Sequence, residues 1–201
     1  LDIVASGSQK GYMIPPGLSF IAMSQKAWEA AEKSNLPKFY LNLKSYRKSL
    51  LSNSNPYTPA VNLVFALDEA LKMMREEGLD NIFLRHQKHK LAMSNAVKAL
   101  NLKLFADEKY LSPSITAIKT EGIDAEEFRK TIKNNFDILL AGGQDHLKGK
   151  IFRVGHLGYI NDRDIISVIS AISNTLLDLG KITTTQAGEA LAVVSKYLEK
   201  N

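Results

Sequence analysis

The stretch Leu1 to Gly17 reads LDIVASGSQKGYMIPPG, and the reading of the whole chain turns on it. A short apolar run, Leu1 to Ala5, leads into the small polar residues Ser6-Gly7-Ser8-Gln9, and Lys10 follows directly. Pro15, Pro16 and Gly17 then build a turn, after which a second apolar run, Leu18 to Met23, reads LSFIAM. The order predicts strand, small-residue turn, lysine, proline-built turn, strand. The first strand reads as one buried on both faces, so it needs strands and helices beside it; in this chain residues 1 to about 78 are expected to be exposed, rearranged or paired with another chain, while residues 79–201 can keep a core of their own. A lysine at the end of such a strand is held in place, and desolvation there favours the neutral amine. A neutral, positioned amine is the form that condenses with a carbonyl to give a Schiff base. Gly7 and Ser8 would let a ligand approach the backbone, and Ser8 and Gln9 carry hydrogen-bonding groups for it. On spacing alone, a lysine after a strand is more often a solvated loop residue, so the turn by itself leaves both readings open.

With 201 residues the chain suffices for one large domain or two modest ones. The net charge of +5 is mild and the basic residues are spread along the chain, which gives nucleic acid no special claim over anionic metabolites. No apolar run is long enough to span a membrane, and no signal-peptide pattern opens the sequence. Cysteine is absent, which excludes disulfides, thiolate metal sites and a cysteine nucleophile in this chain, and suits a cytoplasmic setting. An opening straight into an apolar strand sets the expectation that the chain is the C-terminal part of a longer protein.

Downstream, Ser24 to Asn35 reads as a helix capped by Ser24, with Ala27, Trp28 and Ala31 on one face. A helical piece follows around Tyr46 to Leu51, and SNSNPYTP, Ser52 to Pro59, is loop by composition. Thr58 as N-cap and Pro59 as first helical residue open the next helix, with Leu63, Leu67, Leu71 and Met74 in register and Gly78 as its stop. Such a helix N-terminus, with the Tyr57 and Thr58 hydroxyls beside it, can hold a phosphate, and it is equally an ordinary capped helix. A new unit is expected from about Leu79. It starts with a helix from about Asp80 to Leu100 that carries Ile82, His86, His89, Met93, Ala96 and Leu100 on one face. His86 and His89 have no partners at metal-site spacing and read as packing histidines. Strands are expected at Ser114–Lys119, Phe136–Leu140 and Lys150–Val154. Helices are expected from Asp124 to Lys133 with Asp124 as its cap, from Asp162, as cap, to a stop at Gly180, and from Thr183 or Thr184 to about Leu198. This alternation predicts a small α/β layer structure.

Ile151-Phe152-Arg153-Val154-Gly155-His156-Leu157-Gly158 is the second chemical segment. Arg153 sits in a strand that otherwise reads as buried, and a buried arginine needs a carboxylate or an equivalent partner. Spacing alone does not say whether that carboxylate belongs to the fold or to a ligand.

Three motifs in order, SGSQK with its PPG turn, YTPAV, and FRVGHLG, resemble those of class V aminotransferases, in the alanine–glyoxylate and serine–glyoxylate branch. The resemblance covers Leu1 to about Leu198 and implies the C-terminal half of a fold-type-I, pyridoxal-phosphate-dependent transferase. Residues 1–78 would then complete the cofactor-binding large domain, and residues 79–201 would form the small C-terminal α/β domain. By the resemblance, Lys10 carries the cofactor as a Schiff base and acts as the catalytic lysine, and Gln9 lies near the cofactor phosphate. Tyr57 and Thr58 reach the phosphate site of the other subunit of a homodimer. Arg153 binds the substrate α-carboxylate, and no metal is involved. Implied partners are a small amino acid such as alanine or serine, a small 2-oxo acid such as glyoxylate or pyruvate, and the missing N-terminal half. That half would hold the aspartate for the pyridinium nitrogen, the residue stacked on the ring and much of the phosphate cradle, so this chain alone is expected to be inactive. His156 and the run after it depart from the mammalian-type pattern, which bears on substrate choice. Two rivals stand beside this reading. A cysteine desulfurase shares the fold and the lysine but uses a downstream cysteine, which is absent. An accessory subunit is the other, because cyanobacterial proteins resembling this sequence have carried the label of a soluble hydrogenase small subunit.

Overall fold

The apolar runs on either side of the lysine pair with each other. In a computed structural model, which describes residues 1–199, β1 (Ile3–Gly7) and β2 (Ser19–Met23) form an antiparallel hairpin aligning Ile3 with Met23 and Gly7 with Ser19. The strand that reads as needing neighbours on both faces lies uncovered in this chain, as expected of residues 1 to about 78: Ile3 is 59% and Val4 47% exposed. A two-stranded ribbon has an edge on each side and, among the described residues, no layer packed over both of its faces.

The hairpin belongs to the first of two compact units, Leu1–Glu76 and Glu77–Asn201. In this unit Ser24 caps α1 (Gln25–Lys33) by accepting the Ala27 N–H, and Ala27 is buried. Asn42 caps α2 (Leu43–Leu51) in the same way. Phe39, Tyr40, Tyr46 and Tyr57 gather into an aromatic cluster, with Tyr40 and Tyr57 ring centres 4.7 Å apart. The loop then enters α3 (Val61–Glu77), whose Leu63, Leu67, Leu71 and Met74 lie on its more covered side around buried Ala70. Thr58 is not its N-cap. A tight turn, with the Val61 N–H donating to the Pro59 carbonyl, intervenes, and the Ala60 carbonyl accepts the first helical bond, from Val64. Thr58 is thereby carried beyond reach of the free N–H groups of the first turn.

Glu77 is followed by Gly78, whose φ of 82° lets one helix stop and the next begin. In the second unit α4 (Leu79–Ala99) buries His86, His89, Ala92, Met93, Ala96 and Val97, a stripe at helical spacing. Four antiparallel strands, β3 (Lys103–Leu104), β4 (Ile115–Lys119), β5 (Ala141–Gly142) and β6 (Ile151–Gly155), lie in the order β3-β4-β6-β5. Side chains alternate across the sheet. Ile118, Phe152 and Val154 join the apolar core with residues of α4, α5 (Ala125–Phe136), α6 (Asp162–Asp178) and α7 (Thr184–Leu198). Ala117, Arg153 and Ala141 are direct cross-strand partners and share the opposite face.

Two boundaries differ from expectation. The predicted strand Phe136–Leu140 does not form: α5 continues through Phe136, Asp137 closes it at φ 55°, and only Ala141–Gly142 pairs with β6. Phe136 extends the helical series Phe128, Ile132 and packs against the same core, so the 3.6-residue period prevails over the apolar run. The cap of α6 is Asn161, which forms a capping box with Asp164, rather than Asp162. Among the described residues no helix is long and apolar enough to cross a membrane.

Candidate functional site

Ser8 organises the lysine turn. It is fully buried; its hydroxyl donates to the Pro15 carbonyl at 2.7 Å and accepts from the Leu18 N–H at 3.2 Å. Its backbone N–H and carbonyl bind Leu18 and Ile14, so the loop between the two strands closes on this one residue. Ser8 therefore serves the fold, where the sequence suggested a ligand contact. Gln9 is exposed, with its side-chain amide lying over Gly7, where a Cβ would meet Oε1 at 2.8 Å. Lys10 accepts the Met13 N–H through its carbonyl and presents its side chain to the outside. Among the described residues its Nζ has no hydrogen bond and no ion pair. Of the two readings that the turn left open, the solvated one holds in this chain, because the strand before Lys10 is itself uncovered. The PPG turn is fixed by Gly17, at φ 142°, where any Cβ would collide with Leu63 of α3.

Tyr57 donates its hydroxyl to the Phe39 carbonyl at 3.3 Å and stacks into the aromatic cluster. The next residue, Thr58, is exposed and makes no hydrogen bond among the described residues. Within this unit Lys10 and Gln9 share one turn and Tyr57 and Thr58 another, with no hydrogen bond between the pairs.

Arg153 lies in the second unit, on β6, half-buried. Its Nε donates to the Gly142 carbonyl at 2.8 Å, and among the described residues no acidic side chain pairs with it. Its Nη1 and Nη2 groups form no hydrogen bond there either. Of the two partners weighed from sequence, a carboxylate of the same fold is thus excluded among the described residues. Ala117 and Ala141, its cross-strand neighbours, are too small to cover the guanidinium. Gly142 is the participant that sequence reading missed. It stands just past the expected strand Phe136–Leu140, and only the antiparallel pairing of β5 with β6 brings its carbonyl to Arg153.

The loop after β6 is held from α4. His86 Nδ1 donates to the Ile82 carbonyl, leaving Nε2 to accept the Gly158 N–H at 3.2 Å. Arg85 makes a two-point ion pair with Glu77 and donates Nη1 to the carbonyls of Gly158 and Ile160. His89 donates Nε2 to Asp162, which also receives Lys88. His156 donates Nδ1 to the Pro113 carbonyl and accepts the Thr116 hydroxyl at Nε2. Burial, with His89 and His86 nearby, pushes the pKa of His156 down to about 4. Burial also lowers that of His89, against the opposing pull of Asp162. His86, His89 and His156 are buried packing groups, and no cluster of three or more His, Cys, Asp or Glu among the described residues is arranged to hold a metal ion.

The fold is that of the C-terminal half of a fold-type-I pyridoxal-phosphate enzyme, as comparison with solved structures shows. Ureidoglycine–glyoxylate aminotransferase from Bacillus subtilis superposes with a TM-score of 0.88 at 28% identity, over 98% of this chain and 52% of that one. The family model for aminotransferase class-V matches residues 1–157, and the chain belongs to that family. Among curated relatives, the serine–glyoxylate aminotransferase of Methylorubrum extorquens is 36% identical over 208 residues, 100% of this chain and 51% of its own length. A Synechococcus protein named soluble hydrogenase, small subunit, is 54% identical over 198 residues, 98% of this chain and 51% of its own length. The chain thus spans about half the length of the curated relatives it matches.

Family membership implies pyridoxal phosphate, and the groups on this chain fit it. Lys10 offers an accessible amine on a turn closed by the hydrogen bonds of Ser8, with no acidic side chain paired to it among the described residues. Thr58 offers an uncommitted hydroxyl donor suited to a phosphate oxygen.

Proposed function

We propose that this chain is part of an aminotransferase that moves an amino group from a small amino acid, alanine or serine, to a small 2-oxo acid such as glyoxylate or pyruvate. The observation that carries the reading is Arg153, a half-buried strand arginine whose Nε is tied to Gly142 and whose Nη groups have no carboxylate partner among the described residues. Two parallel N–H groups match an α-carboxylate in charge and geometry, and would orient the substrate amine and α-carbon by fixing its acid end. Lys10 would hold the cofactor through Nζ and, once released as a free amine, take and return the proton at the substrate α-carbon. Pyridoxal phosphate, when bound, supplies the electron-accepting ring that stabilises charge developing at that carbon. Gln9 would lie beside the cofactor phosphate, and Tyr57 and Thr58 would reach the phosphate of a second subunit in a homodimer. The dimer and the choice of donors and acceptors follow the family resemblance, and the absence of cysteine suits a cytoplasmic setting.

The experiment is borohydride reduction of the intact protein, followed by peptide mapping. The reduced cofactor is expected on the peptide carrying Lys10 and absent from Lys10→Ala. Its recovery on another lysine would overturn the assignment. The name of the Synechococcus relative supports a second reading, an accessory subunit of a larger assembly. An intact protein that takes up no cofactor would favour that reading.

A further inference from the structure

Gly142 connects Arg153 to a helix on the other side of β5. Over its Cα lie two side chains of α5: a Cβ built there would stand 2.6 Å from Arg129 Nη1 and 2.7 Å from Glu126 Oε1. Arg129 donates Nε to the Leu140 carbonyl at 2.8 Å and Nη1 to Glu126 Oε2 at 2.8 Å. The strand β5 is only two residues long, too short to fix its own position. Its course is set by Arg129 on the Leu140 side and by Gly143 on the other, where a Cβ would meet the Leu147 carbonyl at 2.1 Å. The Gly142 carbonyl between them takes Arg153 Nε. A guanidinium can grip a carboxylate end-on, through both Nη groups, or side-on, through Nε and one Nη. With Nε already donating to Gly142, the side-on mode lacks its donor.

We propose that Arg129 and Glu126 are positioning residues. Through the Leu140–Gly142 backbone they hold the Arg153 guanidinium so that only its two Nη groups meet a ligand, which restricts it to end-on binding of one carboxylate. This rests on the reading of Arg153 as the substrate-carboxylate anchor. Because Arg129 is already paired with Glu126, the device adds no net charge, and Arg153 remains the group that binds. Neither α5 residue is assigned a substrate contact: Arg129 acts through the Leu140 carbonyl, and Glu126 acts through Arg129.

The test uses the intact protein and steady-state kinetics. Arg129→Met keeps an apolar stem and removes every donor. It is expected to raise the amino-acid KM by about tenfold while kcat at saturation stays within about twofold. Arg129→Lys, which keeps one donor, should recover part of the loss. Gly142→Ala reaches the same pair by another route, driving a methyl into Arg129 and Glu126, and should also raise KM. A structural readout accompanies these: in arginine-labelled protein the Arg153 Nε–H should exchange slowly with solvent, and faster in Arg129→Met. A KM unchanged in both variants, or a KM rise with Nε–H exchange unaltered, would overturn the proposal. If Arg153→Lys itself leaves KM unchanged, the carboxylate reading of Arg153 fails and the positioning role falls with it. If Arg153→Lys raises KM and the Arg129 variants do not, only the positioning role fails.

Discussion

His156 has both ring nitrogens committed inside the fold, one as donor to Pro113 and one as acceptor from Thr116. Only the neutral ring can do both, which agrees with a pKa near 4 where burial dominates. The unfolded chain takes up a proton near pH 6.5, which the folded chain declines until about pH 4. The stabilisation is complete above about 6.5 and is lost as pH falls toward 4, on the order of 3 kcal/mol in all. His89 shifts in the same direction and adds to it. Urea midpoints measured at pH 7.5 and 5 should therefore fall on acidification, and the fall should shrink in His156→Gln. An equal fall in both proteins would assign the acid sensitivity elsewhere. Arg153 carries the other prediction at this scale. Arg153→Lys replaces a planar fork with a single ammonium, and in the intact protein should raise the amino-acid KM tenfold or more, roughly, with cofactor content unchanged. The sequence showed that Arg153 was out of place in a buried strand. It could not show that Gly142 would take its Nε, because the two residues meet only when β5 pairs with β6.

Helix ends separate the roles of two polar residues that look alike in sequence. Thr58 precedes a proline and an apolar-periodic run, the usual mark of an N-cap, but the turn through Pro59 and Ala60 delays the helix. Asn161 does cap α6, by accepting the Arg163 N–H within a capping box. Asn161→Ala should therefore cost about 1 kcal/mol of stability. Thr58→Ala should stay within about 0.5 kcal/mol, as an exposed residue without a bond does. Thermal unfolding of the two variants side by side reads this directly. A Thr58→Ala loss as large as that of Asn161→Ala would place a structural bond at Thr58 and weaken its phosphate role. Elements with sustained period were legible, as in α4, α6 and α7, where one apolar face runs through several turns. The short stretch Phe136–Leu140 was not, since a run of apolar residues fits a strand and a helix end equally until the partner surface is known.

The two units differ in how much they bury. The second holds a continuous core from Ala92 to Leu198, whereas buried apolar residues of the first are Ile14, Ala27 and Ala70. Amide exchange on the 201-residue chain should accordingly protect α4, β6 and α6 strongly and the hairpin weakly. Equal protection of β1 and β6 would contradict this ordering. The same chain, mixed with pyridoxal phosphate, alanine and glyoxylate, should show no turnover, since it spans about half of the relatives it matches; robust turnover would refute the proposed division of the site. By itself the sequence determined the periodic helices, the strand–turn–lysine order and the family motifs, because these are local patterns of side-chain period and turn chemistry. Tertiary structure alone decided that Ser8 closes the lysine turn and that Gly142 anchors Arg153. Those outcomes depend on burial and on contacts between residues distant in the chain, and no local pattern encodes which surfaces will meet.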